Sequence, residues 1–184
     1  QRGAGGGFTA KRPEAGGLAV YCANKVLPLA RYPNRDATHP RSGGFFHVTQ
    51  VEATEGGLRL HLNGTGGMAA TSWDKLSGAV LHIWPDGGRR RRGGIAAANR
   101  AEGSIRLPPQ AGIEPGTRGF VTGLRSELDA PGEWVADGDL LHLLPPVGRE
   151  PAREVTVAST DVLLSIQGGV GEQGALHFVG IEFR

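Results

Sequence analysis

Glycine and proline interrupt this sequence so often that its apolar segments are too short for helices of ordinary length. The 184 residues include 31 glycines and 12 prolines, and the glycines lie between apolar segments without a collagen-like period. Many turns between short apolar segments are typical of chains that fold into β-strands alone. We therefore predict an all-β protein.

The apolar segments suggest a series of antiparallel hairpins. In "LRLHL", Leu58, Leu60 and Leu62 alternate with polar residues, which indicates a strand with one buried face. Pro131-Gly132 is a turn signal, and Gly138 lies in a tight Asp-Gly-Asp reversal between two further strands. Other strands or hairpins are predicted over 18–32, 45–62, 79–84, 94–107 and 119–124. Pro28 should place its strand at a sheet edge or at a bulge.

The charge pattern argues against a nucleic-acid-binding domain. The formal net charge is only +2, whereas such domains usually gather basic residues on one face. The one basic cluster, Arg89–Arg92, stands between two glycine pairs, and we predict a flexible, solvated loop there. Nucleic acid or an acidic polysaccharide remains the alternative use of this cluster.

Three classes of feature are missing from the sequence. Cys22 is the only cysteine, so no internal disulfide and no thiolate metal site is expected, and its apolar neighbours predict a buried thiol. No apolar run approaches the length of about 18 residues that a membrane span needs, and no signal peptide is visible.

The C-terminal segment differs from the hairpins before it. After Val155 and Val157, short apolar stretches alternate with glycine and polar corners up to Phe183, as in one coil of a parallel β-solenoid. Single solenoid coils cannot bury their faces alone. We expect the chain to be the supporting part of a larger protein whose further coils pack on this one.

Three stretches together resemble a known family. "YCANKVLPLARYPN", "LDAPGEWVADGDLLHLLPP" and "VLLSIQGGVGEQGALHFVGIEFR" resemble large secreted proteins with right-handed parallel β-helix domains, the pectate-lyase-like glycoside hydrolases and their relatives. In that family a small β-barrel or sandwich is inserted early in the solenoid. The matching positions are Leu29–Asn34, Leu128–Trp134, Gly138 with Leu140–Pro146, and Leu163–Phe183.

The resemblance implies an organisation in three parts. Residues 1–17 would be a flexible glycine-rich lead, 18–152 the inserted barrel or sandwich, and 153–184 the first strands of the β-helix. It also implies a secreted or cell-surface protein that hydrolyses polysaccharides, with its catalytic acids on coils beyond Arg184. The chain itself is expected to hydrolyse nothing and to need no cofactor.

Asp129 and Glu133 are the candidate pair of catalytic carboxylates, because they are close in sequence and a glycosidase needs two carboxylates across the scissile bond. An Asp before Pro-Gly commonly caps a turn through its side chain, and Glu133 leads into a predicted edge strand. We favour this structural role for both residues and assign no catalytic residue within the chain.

The histidines and tryptophans yield no assigned site. The histidines show no spacing typical of a zinc site, so no metal ligand is assigned; they are His39, His47, His61, His82, His142 and His177. Trp73, Trp84 and Trp134 are candidates for stacking on sugar rings. A core position is favoured for Trp134 and, less strongly, for Trp84, which shares a strand face with Val80 and His82.

Two functional hypotheses follow. In the first, the chain is a non-catalytic barrel that shapes one wall of the substrate groove of a secreted glycoside hydrolase, with a lyase as a weaker variant. In the second, it serves a β-helix adhesin or surface protein without catalysis. Both make a polysaccharide or glycan the partner, and neither involves nucleic acid or a membrane span.

Overall fold

The computed structural model describes residues 7–12, 18–63, 73, 75–85, 88–99, 102–109, 112–149 and 154–158. These residues form an all-β fold of antiparallel sheets, as the sequence predicts. The strands are β1 (Phe8–Lys11), β2 (Ala19–Cys22), β3 (Lys25–Val26), β4 (Arg31–Tyr32), β5 (Phe46–Thr54), β6 (Gly57–Leu62), β7 (Val80–Trp84), β8 (Arg91–Gly94), β9 (Ala97–Asn99), β10 (Ser104–Leu107), β11 (Arg118–Thr122), β12 (Trp134–Asp137), β13 (Leu140–Leu143) and β14 (Val155–Ala158). One short 3-10 helix, Arg125–Glu127, follows β11.

The largest sheet has the strand order β8-β7-β11-β5-β6-β10-β9, and β4 also pairs with β11. Three of its strand pairs, β5–β6, β7–β8 and β9–β10, are hairpins, and the sequence predicts β5–β6 and β9–β10. In the described residues the two end strands, β8 and β9, do not pair with each other. The sheet is therefore open and resembles a sandwich more than a closed barrel.

Alternate residues of the large sheet point into one apolar core. Leu60 and Leu62 of β6 are buried there, as the alternating pattern predicts. The other buried members of this core come from both strands and loops. They are Tyr32, Phe46, Val48, Trp73, Ala79, Leu81, Ile83, Ile95, Ile105, Leu107, Ile113, Val121 and Leu124.

Two three-stranded sheets enclose a second, smaller core. Their strand orders are β1-β13-β12 and β14-β2-β3. Cys22 is 4% exposed in this core, which confirms the predicted buried thiol. Its other buried members are Val20, Leu27, Trp134, Leu141 and Leu143.

Trp134 connects the two parts of the fold. Its backbone N–H donates to the carbonyl oxygen of Pro28, 3.1 Å away, and its own carbonyl oxygen accepts the N–H of Ala30 at 2.7 Å. Its indole Nε1 also donates to the carbonyl oxygen of Leu27 at 3.0 Å. The core position favoured for Trp134 is thus confirmed, and the segment before β4 is fixed against β12.

The structure corrects three local predictions. Phe8–Lys11, placed in the flexible lead, is a strand paired with β13. The strand expected up to Tyr32 ends at Val26, because Pro28 has no N–H to continue the ladder. Residues 153–184 are predicted to start a solenoid. The structure instead pairs β14 (155–158) antiparallel with β2, so these four residues belong to the sheet of β2. Residues 159–184, which carry the rest of that prediction, lie outside the described residues.

Candidate functional site

The outer face of the large sheet carries aromatic and arginine side chains. In β7 the core residues Leu81 and Ile83 alternate with His82 and Trp84, which point outward. In β11, Gly119 and Val121 are buried, and Arg118 and Phe120 lie on the opposite side. We call the group of side chains that meets here the aromatic–arginine cluster, and its members are Arg31, Phe45, His82, Trp84, Arg118 and Phe120.

The rings of the cluster contact one another. The centroids of Phe45 and Trp84 lie 5.5 Å apart with an edge-to-face angle of 88°. Phe120 lies 5.8 Å from Trp84 and 6.0 Å from Phe45. All three rings are half-buried, and separations of 4.5–7 Å are those of favourable aromatic pairs. The sheet thus has an ordered aromatic layer on the side away from its core.

Arg31 reaches this layer from β4. Its guanidinium carbon lies 3.9 Å from the centroid of Phe120. Nε donates to the carbonyl oxygen of Pro33 at 2.9 Å, and Nη2 donates to that of Gly44. Burial, and to a smaller extent the charge of Arg35, lowers the pKa of Arg31 to about 10, against an opposing contribution from Glu133. The side chain is therefore held in place and still charged at neutral pH.

Arg118 lies at the exposed margin of the cluster. Its guanidinium carbon is 5.0 Å from the centroid of Phe45 and 5.3 Å from that of Trp84. Nη1 donates to the carbonyl oxygen of Arg41 at 3.1 Å. This one backbone bond and the two rings orient an arginine that remains open to solvent.

His82 is the buried member of the cluster. Its ring stacks on Phe120 with a centroid distance of 4.5 Å and an interplanar angle of 11°, and Nε2 is 2.9 Å from Oγ1 of Thr122. Burial, together with the charges of Arg90, Arg92 and Arg31, lowers the pKa of His82 to about 4. The imidazole is neutral at neutral pH, so it contributes a flat surface and not a charge.

The arginine run borders the same face. Arg91 and Arg92 belong to β8, and Arg92 pairs with His82 across the β7–β8 ladder. The prediction of a flexible loop is wrong for these two residues, because β7 offers an edge with which they form backbone hydrogen bonds. All four side chains of Arg89–Arg92 are exposed, as expected of a charge run. The strand therefore sets positive charge beside the aromatic layer.

Asp129 and Glu133 have different hydrogen-bond partners, and the expected side-chain cap of the Pro131-Gly132 turn comes from Glu133 and not from Asp129. Asp129 is exposed, and its Oδ1 accepts a hydrogen bond from Asn34 Nδ2 at 2.9 Å. Glu133 is 4% exposed, and its Oε2 accepts the backbone N–H of Ala130 at 3.2 Å. Burial, with some help from Asp129, raises the pKa of Glu133 to about 7, against the effect of backbone hydrogen bonds from Ala130, Asp129 and Arg31.

The other candidate residues are spread over the fold. Trp73 is buried in the larger core, and its Nε1 donates to Oε1 of Glu127 at 2.6 Å. His142 is buried beside Thr9, and His61 and His39 contact Glu52 and Asp36 respectively. Within the described ranges no group of three or more His, Cys, Asp or Glu side chains is arranged to hold a metal ion. His177 lies outside the described residues.

Sequence reasoning missed most of the cluster. The core position favoured for Trp84 is wrong, because the opposite side of β7 faces the core. No functional role is predicted from the sequence for four other members of the cluster, Phe45, Phe120, Arg31 and Arg118. The alternation in "RGFVT" of β11 is a usable signal, since it places Arg118 and Phe120 on one side of the strand. Arg31 and Phe45 have no such signal, because they reach the cluster through tertiary pairing.

Chemically, the arrangement combines apolar ring surface with fixed hydrogen-bond donors. Half-exposed aromatic rings offer the apolar contact area that the C–H faces of sugar rings can cover, and guanidinium groups donate to oxygen atoms. The face is therefore suited to binding a ligand that has both apolar faces and oxygen acceptors.

Comparisons with known proteins show a likeness of fold. No family model matches the sequence, and neither does any curated protein. A solved structure named "Glycoside hydrolase" is similar, with a TM-score of 0.61 and 13% sequence identity, over 85% of this chain and 30% of that one. Among the described residues, no helix has the length and apolarity to cross a membrane. The chain thus shares its all-β fold with a part of a glycoside hydrolase, and it spans about 30% of that protein's length.

Proposed function

We propose that this chain is the non-catalytic all-β part of a secreted carbohydrate-active protein, where it binds a polysaccharide and forms one wall of a substrate groove. The observation that carries this proposal is the aromatic–arginine cluster, in which three half-buried rings contact one another beside two oriented guanidinium groups. The similar fold in part of a glycoside hydrolase supports a role in carbohydrate binding.

A non-catalytic role agrees with the environment of the two central carboxylates. Oε2 of Glu133 is bound by the N–H of Ala130 inside the turn, and Asp129 is bound by Asn34. A retaining glycosidase needs two carboxyl groups about 5.5 Å apart on either side of a sugar, and a glutamate that is 4% exposed offers little surface to one. In this proposal the hydrolytic residues lie on a parallel β-helix encoded beyond Arg184.

Affinity electrophoresis of the 184-residue chain through gels that contain plant-wall or bacterial polysaccharides tests the binding. We expect retardation by at least one polymer, and a loss of about tenfold in affinity for Trp84→Ala, which corresponds to roughly 1.4 kcal/mol. Tyr21→Ala is the matched control, because Tyr21 is half-buried on β2, in a different sheet. Thermal unfolding of both variants separates lost binding from lost folding.

Two results would contradict the proposal. If no polysaccharide retards the folded chain, it does not bind glycans by itself. If the chain releases reducing ends from a polysaccharide or splits an aryl glycoside, the non-catalytic role is wrong. Equal retardation of Trp84→Ala and wild type would leave binding intact but remove the aromatic–arginine cluster as its site.

A further inference from the structure

We propose that the aromatic–arginine cluster selects anionic glycans, and that Arg118 and Arg31 bind the carboxylate or sulfate groups of the polysaccharide. This inference rests on the proposed glycan binding and adds the substrate class. The arginines support this inference. A neutral sugar needs apolar ring surface and hydrogen-bond partners for its hydroxyl groups, but it does not need several positive charges close together.

The cluster lies in a positively charged part of the surface. Arg31, Arg90 and Arg92 all lie close enough to His82 to disfavour its protonation. In the described ranges, no carboxylate oxygen comes within 4.0 Å of the guanidinium nitrogens of Arg31 or Arg118. The ion pairs that are present involve other cations, such as Arg59 and Arg125. Within these ranges neither cluster arginine is neutralised by an ion pair, and Glu133 acts on Arg31 only from a greater distance.

Arg118 is oriented before any ligand arrives. Its guanidinium packs against Phe45 and Trp84, and Nη1 donates to the carbonyl oxygen of Arg41. A guanidinium has five N–H donors in a rigid fork that matches a carboxylate or sulfate edge in bidentate geometry. Because the side chain is already restricted, binding an anion costs less rotamer entropy than it would with a free arginine.

The charge distribution favours a glycan over a nucleic acid. Tight binding to a phosphate backbone needs many cationic contacts along an extended track, and this chain has a net charge of only +2. A polysaccharide with spaced anionic groups needs only a few oriented arginines.

Affinity electrophoresis at 20 mM and 500 mM NaCl tests the selectivity. The carboxylate probes are polygalacturonate and alginate, the sulfate probe is dextran sulfate, the neutral probes are xylan, glucomannan and dextran, and the nucleic-acid probe is a 20-mer of thymidylate. Arg118→Ala removes the exposed guanidinium. Arg106→Ala is its charge-matched control, because Arg106 is an exposed outer-face residue of β10, at the other end of the sheet.

We expect at least one anionic glycan to be bound more tightly than every neutral one, with about a tenfold loss for Arg118→Ala and little change for Arg106→Ala. Binding should weaken at 500 mM NaCl because of screening. Comparison of the carboxylate and sulfate probes identifies the anionic group.

The inference would be overturned, and the proposed function kept, if neutral polymers bind as tightly as anionic ones or if both arginine variants bind alike. Equal or tighter binding of the oligonucleotide would identify a nucleic-acid surface and also refute it. If no polymer is bound by the folded chain, both proposals fail.

Discussion

The guanidinium carbon of Arg31 lies 3.9 Å from the centroid of Phe120, and thus a residue of the two-residue strand β4 covers a ring of the central strand β11. The contact joins the segment that Trp134 holds against β12 to the outer face of the large sheet. It is the shortest cation–ring distance of the aromatic–arginine cluster.

We expect Arg31→Lys to destabilise the protein by about 1–2 kcal/mol, because lysine keeps the charge but lacks the planar group that packs on Phe120 and bonds to Pro33 and Gly44. Urea denaturation followed by tryptophan fluorescence measures the change. Arg106→Lys, at an exposed position of β10, should differ from wild type by no more than about 0.5 kcal/mol. Equal midpoints for the two variants would show that the stacked geometry contributes nothing to stability.

Glu133 should make stability fall as the pH rises. Burial raises its pKa from 4.5 to about 7 in the folded state, so the folded protein disfavours the ionised form. Below pH 4.5 the group is protonated in both states and costs nothing, and the penalty is complete above pH 7. Relative to Glu133→Gln, the free energy of unfolding of wild type should therefore decrease by up to about 3 kcal/mol between pH 4.5 and 7.

Denaturation of wild type and Glu133→Gln at pH 4.5, 5.5, 6.5 and 7.5 measures this difference. The comparison with the variant removes the titration of other groups, which is common to both proteins. A stability difference that stays constant over this range would mean that Glu133 ionises as easily in the folded as in the unfolded chain.

His82 should have the opposite dependence. Its pKa falls from 6.5 to about 4 on folding, so the folded state disfavours the imidazolium. Above pH 6.5 the ring is neutral in both states, and stability is lost as the pH decreases through this range towards 4. An NMR titration of the His82 ring should have its midpoint near 4. A midpoint near 6.5 would show that neither burial nor the nearby arginines act on the ring.

The sequence predicted the strands of this fold better than their arrangement. Strands such as β6 and the β12–β13 hairpin carry their own signals, namely alternation at Leu58, Leu60 and Leu62 and the turns at Gly132 and Gly138. These signals are local, so they can be read without knowledge of the partner strands. β8 has no local signal, because two of its four residues, Gly93 and Gly94, are glycines, which are depleted in strands, and the segment becomes a strand by pairing with the edge of β7.

The same limit applies to the candidate site. The composition of β11 and β7 places Arg118, Phe120, His82 and Trp84 on strands, but the periodicity of a strand does not say which of its two faces is the core. Trp84 was assigned to the wrong face for this reason. The contact of Arg31 with Phe120 joins residues of separate segments through the β4–β11 pairing, and that pairing is a property of the tertiary fold.

The hydrogen bond from Trp73 Nε1 to Glu127 Oε1, at 2.6 Å, should stabilise the larger core. Both residues are buried, so removing the donor in Trp73→Phe leaves a carboxylate oxygen without this partner. The free energy of unfolding should therefore decrease by about 2–3 kcal/mol. A double-mutant cycle with Glu127→Ala should give a coupling energy between about 0.5 and 3 kcal/mol. A coupling energy of zero would mean that the bond adds nothing beyond the packing of the indole.

Gly119 should be a position of the large sheet that tolerates no side chain. A Cβ atom at this position would lie 2.8 Å from the carbonyl oxygen of His82 and 2.8 Å from two ring atoms of Phe46, its partner across the β5–β11 ladder. The carbonyl belongs to the paired strand β7 and cannot move without breaking the ladder. Phe46 is 1% exposed in the core, so its ring has little room to withdraw.

We therefore expect Gly119→Ala to destabilise the protein by about 1–3 kcal/mol through overpacking. Gly94→Ala in β8 is the matched control, because a Cβ atom there meets no atom within 4 Å, and its stability should stay within about 0.5 kcal/mol of wild type. Urea midpoints of the two variants measure the difference. If Gly119→Ala unfolds at the same midpoint as Gly94→Ala, strands β7 and β11 do not approach as closely as their register implies. The stacking of His82 on Phe120, which depends on that pairing, would then be wrong as well.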